Sequence, residues 1–273
     1  MISLTRLKYP VDFDGVSTED AKLTLVSWRR TVRVAFCIHG HLRCFDECWP
    51  YLWHNLLEPY KADVFAMLWL DSIGTHVDPT QSSEPLRHPG FDQQAPRVSM
   101  DSVRSVLDRL APKDVHLDHY WAHDRRFGAI TEHYAAYNHP WPHHRPKPTI
   151  SMNWARSVTM NMKSRYEQEG QFTYDRVICT RWDIMYPHYV DLGAHDPSVI
   201  TLPNFHGLDV TSDVWASGPS RLMDAWGEQI HHIDDLIRED MFSLGPHEWM
   251  KAWLAYRGVP WQNRDDLGIW VHR

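Results

Sequence analysis

An α/β fold with a mixed, mainly parallel sheet flanked by helices is what this sequence predicts, and three observations carry the prediction. Two runs, "VRVAFCIH" from Val32 to His39 and "DVFAMLWL" from Asp63, are apolar on both faces, the pattern of strands buried inside a sheet. Between them Phe45, Trp49, Leu52 and Leu56 follow helical spacing, so strand, helix and strand read as a parallel unit covered by a helix. A third buried run, Val177 to Cys179, follows a long helix and leads into Arg181 and Asp183. Charges at the carboxyl end of a central strand lie where open α/β sheets bind ligands.

The elements follow in order. In the first strand Val32, Val34, Phe36 and Ile38 share one face and Ala35 and Cys37 the other, and Gly40 then permits a tight turn. Residues 71–98, rich in Pro, Ser, His and Gln, read as a long irregular loop. A helix over about Met100 to Leu110 and a short strand near "VHLDHY" come next. Prolines make residues 137–148 a second irregular loop. The helix from about Ile150 to Glu169 has Ile150, Trp154, Val158, Met162 and Tyr166 as its core stripe. Its polar side carries Asn153, Arg156, Ser157 and Asn161; the first three either line a pocket or, as polar faces usually do, meet water. "DVWASGPS" is a short strand, Leu222, Trp226, Ile230, Ile233 and Ile237 lie along one helix, and a helix from about His247 to Tyr256 precedes a terminal strand in "LGIWVHR". The expectation is a single domain over residues 1–273, with 1–30 as an N-terminal extension.

Composition narrows the function classes. A formal net charge of −7, from 28 basic and 35 acidic residues, gives no reason to expect a general nucleic-acid binder or a peripheral membrane protein. Charge and proline interrupt the first residues before a signal-peptide core forms, and no apolar run is long enough to span a bilayer. Four cysteines, Cys37, Cys44, Cys48 and Cys179, do not resemble a disulfide framework and fit a reducing cytoplasm.

The stretch "FCIHGHLRCFDEC" admits several chemistries. His39, His41, Cys44 and Cys48 are zinc-ligand types, but packing all four so close departs from the two separated ligand pairs of structural zinc sites. An anion site needs only a strand, a turn at Gly40, a helix start with free N–H groups and the forked guanidinium of Arg43. A plain surface turn with Arg43 in water satisfies the same residues. The stretch alone leaves these readings open.

Four segments in order, "VAFCIHGHLRCF", "ADVFAMLW", "ISMNWARSVTMNMKSRYEQ" and "YDRVICTRWDIMYP", resemble a family of cytosolic glycosyltransferase-like proteins of polysaccharide-locus and viral type. The shared pattern is a strand ending in Gly-x-x-Arg, a strand Asp-Val-Phe followed by Trp, a Ser-containing helix, and Tyr-Asp-x-Val-Ile-x-x-Arg-x-Asp. The similarity covers roughly Val32 to Tyr186, with weaker echoes to Tyr256. It implies a GT-A-like, Rossmann-related fold and transfer of a sugar from a nucleotide sugar to a glycan, lipid-linked or small-molecule acceptor.

On this resemblance Gly40 and Arg43 lie in the donor-nucleotide turn and Arg181 and Asp183 occupy the metal or diphosphate motif; Asn153, Arg156 and Ser157, if they line the pocket, are further donor-binding candidates. "HGLDVTSDVWASGPSRLMDAW" resembles the acceptor-side segment, and "HEWMKAWL" a helix whose acidic residue faces the acceptor. The Asp-x-Asp signature is absent where "RWD" stands, and the "DFD" at Asp12 to Asp14 precedes the first strand. Either Asp183 holds Mn2+ or Mg2+ together with the diphosphate and water, or Arg181 replaces the metal's charge. The transfer also needs a group that takes a proton from the acceptor hydroxyl, for which Asp213 and Glu248 are the candidates. A phosphate-donor transferase would use the same strand, turn and arginine, although no G-x-x-x-x-G-K-[ST] loop is present. A binding-only relative would keep the fold without the activity.

Overall fold

The computed structural model describes residues 32–42, 44–70, 99–137, 146–204, 212–243 and 245–271. The expected extension at 1–30, the loop at 71–98 and Arg43 lie outside the described residues, as does most of the second loop.

The fold is α/β, and a Rossmann-like sheet organises it. Seven of the described strands form one mixed sheet: β1 (Val34–His41), β2 (Asp63–Trp69), β3 (Asp114–Asp118), β4 (Arg176–Arg181), β6 (Ile200–Pro203), β7 (Trp215–Gly218) and β8 (Trp261–Arg264), in the order β3-β2-β1-β4-β7-β6-β8. β1 pairs in parallel with β2 and β4, and β2 with β3. β7 runs antiparallel to both β4 and β6, while β6 and β8 are parallel. A separate two-residue ladder joins β5 (Ile184–Met185) to β9 (Trp270–Val271). The terminal strand read in "LGIWVHR" is thus a clip beside the main sheet. β6 and β8, too short and polar to stand out as apolar runs, complete its far edge.

The central strands are apolar throughout because both faces are covered. Val34, Ala35, Phe36, Cys37 and Ile38 are all buried, as are Val177, Ile178 and Cys179. On one face Ala35, Cys37, Val177 and Cys179 pack with residues of α4 (Pro146–Gly170), α5 (Ser220–Gly227) and α7 (Pro246–Tyr256), among them Met160, Met223, Trp226 and Met250. The alternation of a pleated strand sends Phe36 and Ile38 to the other face. The helix read after Gly40 is α1 (Phe45–Leu52), which continues through a π-helical turn at Trp53–Leu57. Its expected inward residues Phe45, Leu52 and Leu56 are buried. α2 (Met100–Leu110) starts where Ser99 accepts a hydrogen bond from the Ser102 N–H at 3.0 Å and presents Val103, Val106 and Leu110 inward. α3 (Tyr120–His133) contributes Phe127 to an aromatic core that also contains Trp69, Trp249 and Trp253.

Three expectations change. The second irregular loop does not reach Pro148, because α4 begins at Pro146. The N–H donors of a helix's first turn have no carbonyl within the helix to bond, so proline's missing N–H costs nothing there and its fixed φ suits the helix. The single helix over 222–237 is three pieces: α5, a 3-10 turn at Glu228–His231, and α6 (Ile233–Arg238). The break follows Gly227, where a Cβ would stand 2.6 Å from the Cβ of Met160, so close approach to α4 takes precedence over helical continuity. Finally, much of the polar side of α4 is not solvated: Asn153, Arg156, Ser157, Thr159 and Lys163 are buried, while Asn161 is exposed. α4 is enclosed by the sheet and its neighbouring helices, and its polar groups bond internally.

Candidate functional site

From β1 the chain steps outward to β2 and β3, then crosses to the other side of β1 to lay down β4. The order reverses between β1 and β4, and in open α/β sheets the crevice beyond the carboxyl ends at such a reversal is the ligand position. Parallel pairing sets His39 of β1 level with Arg181 of β4. β7 enters from the opposite direction, with Trp215 level with Thr180. Its antiparallel course delivers the preceding residues, Asp213 included, to this same end.

Gly40 lies inside β1, paired with Leu68, so the strand runs on to His41 and the expected turn after Ile38 and His39 comes later. Its φ of +107° is a conformation that side chains disfavour, and a Cβ there would meet no atom within 4 Å. The glycine is required by the backbone, and it leaves room beside the strand end for another group to approach.

Arg181 and Asp183 form a forked pair. The Arg181 Nε donates to Asp183 Oδ1 at 2.9 Å and Nη2 to Oδ2 at 2.5 Å. The Asp183 side chain is 2% exposed and that of Arg181 24%, so the arginine is the more open member of the pair. Burial works against the charge of Arg181, but Asp183 outweighs it and, with a smaller contribution from Asp213, raises the pKa above the ordinary arginine value. Both oxygens of Asp183 accept from Arg181, so a cation held by Asp183 would compete with the guanidinium, and among the described residues no three His, Cys, Asp or Glu side chains converge on a cation position. That statement covers the proposed zinc ligands His39, His41, Cys44 and Cys48 as well. Burial holds the Cys48 thiol up at about 12 and Cys179 at about 11, and raises Cys37 strongly, so these three are protonated and unreactive.

Behind the pair lies a second buried guanidinium. Arg156 Nη1 donates to Asn153 Oδ1 at 2.7 Å and Nη2 to the Asp213 carbonyl at 2.8 Å, with its plane centre 4.5 Å from the Trp226 ring centroid. Burial lowers its pKa, aided by the charge of Arg181 and partly offset by Cys179 and Asp213. Arg156 and Asn153 therefore stand beneath the crevice and fix the Asp213 segment. Ser157 turns elsewhere, its Oγ 2.9 Å from His231 Nε2. His39 is buried beside both arginines: burial first, then the charges of Arg156 and Arg181, push its pKa well below the usual histidine value. It is a neutral imidazole, and its Nδ1 has no hydrogen-bond partner.

The acceptor-side candidates separate. The Asp213 side chain is 8% exposed and sits 3.6 Å from Nδ1 of His247, whose side chain is 27% exposed. Glu248, one residue on in the first turn of α7, is exposed to solvent. The structure thus brings Arg156, Arg181, Asp183 and Asp213 together at the carboxyl end of β4, with His39 and Gly40 at the neighbouring end of β1 and His247, which the sequence did not single out, beside Asp213. Their signal was positional: His39 ends an apolar run, and His247 follows Gly245 and Pro246 at a helix start, so each is a polar residue at the end of an element.

No protein-family model matches the chain, and no curated protein is significantly similar to it.

Proposed function

We propose that the protein is a glycosyltransferase that moves a sugar from a nucleotide-sugar donor to an acceptor hydroxyl of a glycan, a lipid-linked sugar or a small molecule. One observation carries the reading: the Arg181 guanidinium, oriented by buried Asp183, stands at the β1/β4 reversal next to the open space at Gly40. Two N–H groups hold Asp183, and the remaining ones are left to meet phosphate oxygens. In glycosyl transfer the bond from the anomeric carbon to the diphosphate breaks, and the departing oxygens gain negative charge. A preoriented cation in a partly dry crevice stabilises that charge more in the transition state than in the ground state. Arg181 supplies this charge in our reading, with no metal-borne step; Arg43, which the family resemblance assigns to donor binding, lies outside the described residues. The segment from Ser212 to Trp215 and the start of α7 form the acceptor side. Free cysteines fit a cytoplasmic setting, and no helix among the described residues is long and apolar enough to cross a membrane.

The test is a thermal-shift panel of UDP-, GDP-, CMP- and dTDP-sugars, each with and without manganese. A donor at a hundred times its Kd stabilises the fold by about 2.7 kcal/mol. We expect one nucleotide class to raise the melting temperature, Arg181→Ala to abolish the shift, and manganese to be dispensable. A flat panel from a folded sample rejects the proposal in favour of a binding-only protein of other specificity, and a shift seen only with manganese rejects the metal-free form of it.

A further inference from the structure

The position of Asp213 makes it a poor choice for the group that meets the acceptor. Its carboxylate is nearly enclosed, its carbonyl is held by Arg156, and its charge acts on both Arg156 and Arg181. Glu248 is exposed on α7. His247, next to Glu248 in the first turn of α7, places its buried Nδ1 3.6 Å from the Asp213 carboxylate, an ion-pair distance just beyond a hydrogen bond, and its side chain is 27% exposed. The ring is presented by a fixed element: Trp249, Met250, Trp253 and Leu254 anchor α7 in the core, and the Trp253 indole donates to the Ala225 carbonyl at 2.5 Å.

We propose that His247 is the catalytic base of the transfer and that Asp213 is its positioning residue. The inference rests on the glycosyltransferase reading above. Nε2 of His247 takes the proton of the acceptor hydroxyl, the acceptor oxygen forms its bond to the anomeric carbon, and the bond from that carbon to the nucleoside diphosphate breaks. The diphosphate leaves with the electron pair, facing Arg181. Asp213 balances the imidazolium that results, and a closure of less than about 1 Å on substrate binding brings it within hydrogen-bond reach of Nδ1–H, the role a buried carboxylate plays behind a histidine base. A base aligned for direct attack on the donor gives a product of inverted anomeric configuration.

The experiment takes the nucleotide sugar giving the largest thermal shift and follows release of its nucleotide, the nucleoside diphosphate or, from a CMP-sugar, CMP, with water and with simple alkyl glycosides as acceptors. His247→Ala and His247→Gln should each keep the donor-induced shift while turnover falls by roughly 10²–10⁴-fold. Added imidazole should restore part of the activity of His247→Ala, an effect that repair of mere packing would not produce. Asp213→Asn should lower kcat with the donor KM unchanged and should not respond to imidazole. Turnover within a few-fold of the parent in both His247 variants, no imidazole rescue, or a product of retained configuration overturns the proposal but leaves the donor site standing. Absence of any donor-induced shift overturns the glycosyltransferase reading, and this inference with it.

Discussion

At the scale of single residues, the site depends on charges whose partners are not their sequence neighbours. Arg156 binds Asn153 within its own helix and the Asp213 carbonyl from a distant segment, and it stacks on Trp226. Replacing it with Met leaves the Asn153 and Asp213 oxygens without their donor in a dry setting, at roughly 1–3 kcal/mol for each unsatisfied group. We expect Arg156→Met to lower the urea midpoint by an amount equivalent to about 3 kcal/mol, with Arg156→Lys intermediate. A second expectation concerns acid. His195 is buried against Arg176 and near Arg264, and burial first, then those two charges, lower its pKa from 6.5 to about 3 despite Asp266 nearby. Between those values the unfolded chain binds a proton that the folded chain excludes, so stability rises with pH across this window. Above pH 6.5 there is no penalty; as pH falls toward 3, stability is lost at up to about 1.4 kcal/mol per pH unit. His39, shifted in the same direction, adds to the loss. Urea titrations between pH 7 and 4 measure the slope, and His195→Gln should make it shallower.

At the scale of elements, α4 is the organising piece, and its interior polar groups explain how it is held. Lys163 is fully buried and donates to Glu167 Oε2 at 2.8 Å, Asp224 Oδ1 at 2.6 Å and Ser220 Oγ at 2.6 Å, joining α4 to α5. Glu167 in turn accepts from the Tyr174 N–H at 2.7 Å, which fixes the entry to β4. Removing only the cation from such a cluster strands its carboxylates, so Lys163→Met should cost about 3–5 kcal/mol in chemical denaturation. The double variant Lys163→Met with Glu167→Leu should recover much of that loss, because no buried carboxylate remains at Glu167. The contact at Gly227 gives a steric counterpart. A methyl group there would collide with Met160, so Gly227→Ala should destabilise by roughly 1–3 kcal/mol.

At the scale of the whole molecule, stability and reactivity are placed at different parts of one sheet. β1 and β4 are enclosed on both faces and flanked by paired neighbours. β3 forms one edge and exposes Val115 and Leu117, while β8 forms the other and is only half-buried. Backbone amides of β1 and β4 should therefore exchange hydrogen at the global unfolding limit, and those of β3 and β8 through smaller local openings. Native-state exchange read by mass spectrometry or NMR checks this; faster exchange in β1 than in β3 would contradict it. A rigid centre with its carboxyl ends open suits a site that must hold Arg181 in one orientation while a ligand enters and leaves.

What the sequence determined by itself is what depends on local periodicity. β1, β2 and the core of β4 were legible as runs apolar on both faces, α2 and α7 by their helical spacing, and the α/β class by their alternation. Arg181 and Asp183 stood out because polar residues closed a buried strand. Other features required the fold, because their causes lie far apart along the chain. Nothing local to "MNWARS" reveals that Asn153, Arg156 and Ser157 are enclosed, since that depends on the sheet, α5 and the Asp213 segment arriving around α4. The break after Gly227 comes from Met160 on another helix, and β8 takes its place in the sheet by pairing with β6, which itself pairs with β7. The pairing of Asp213 with His247 joins residues from two elements that only the antiparallel entry of β7 brings to the end of β4. Burial and distance are properties of the assembled chain, and they selected which of the candidate carboxylates and histidines share one crevice.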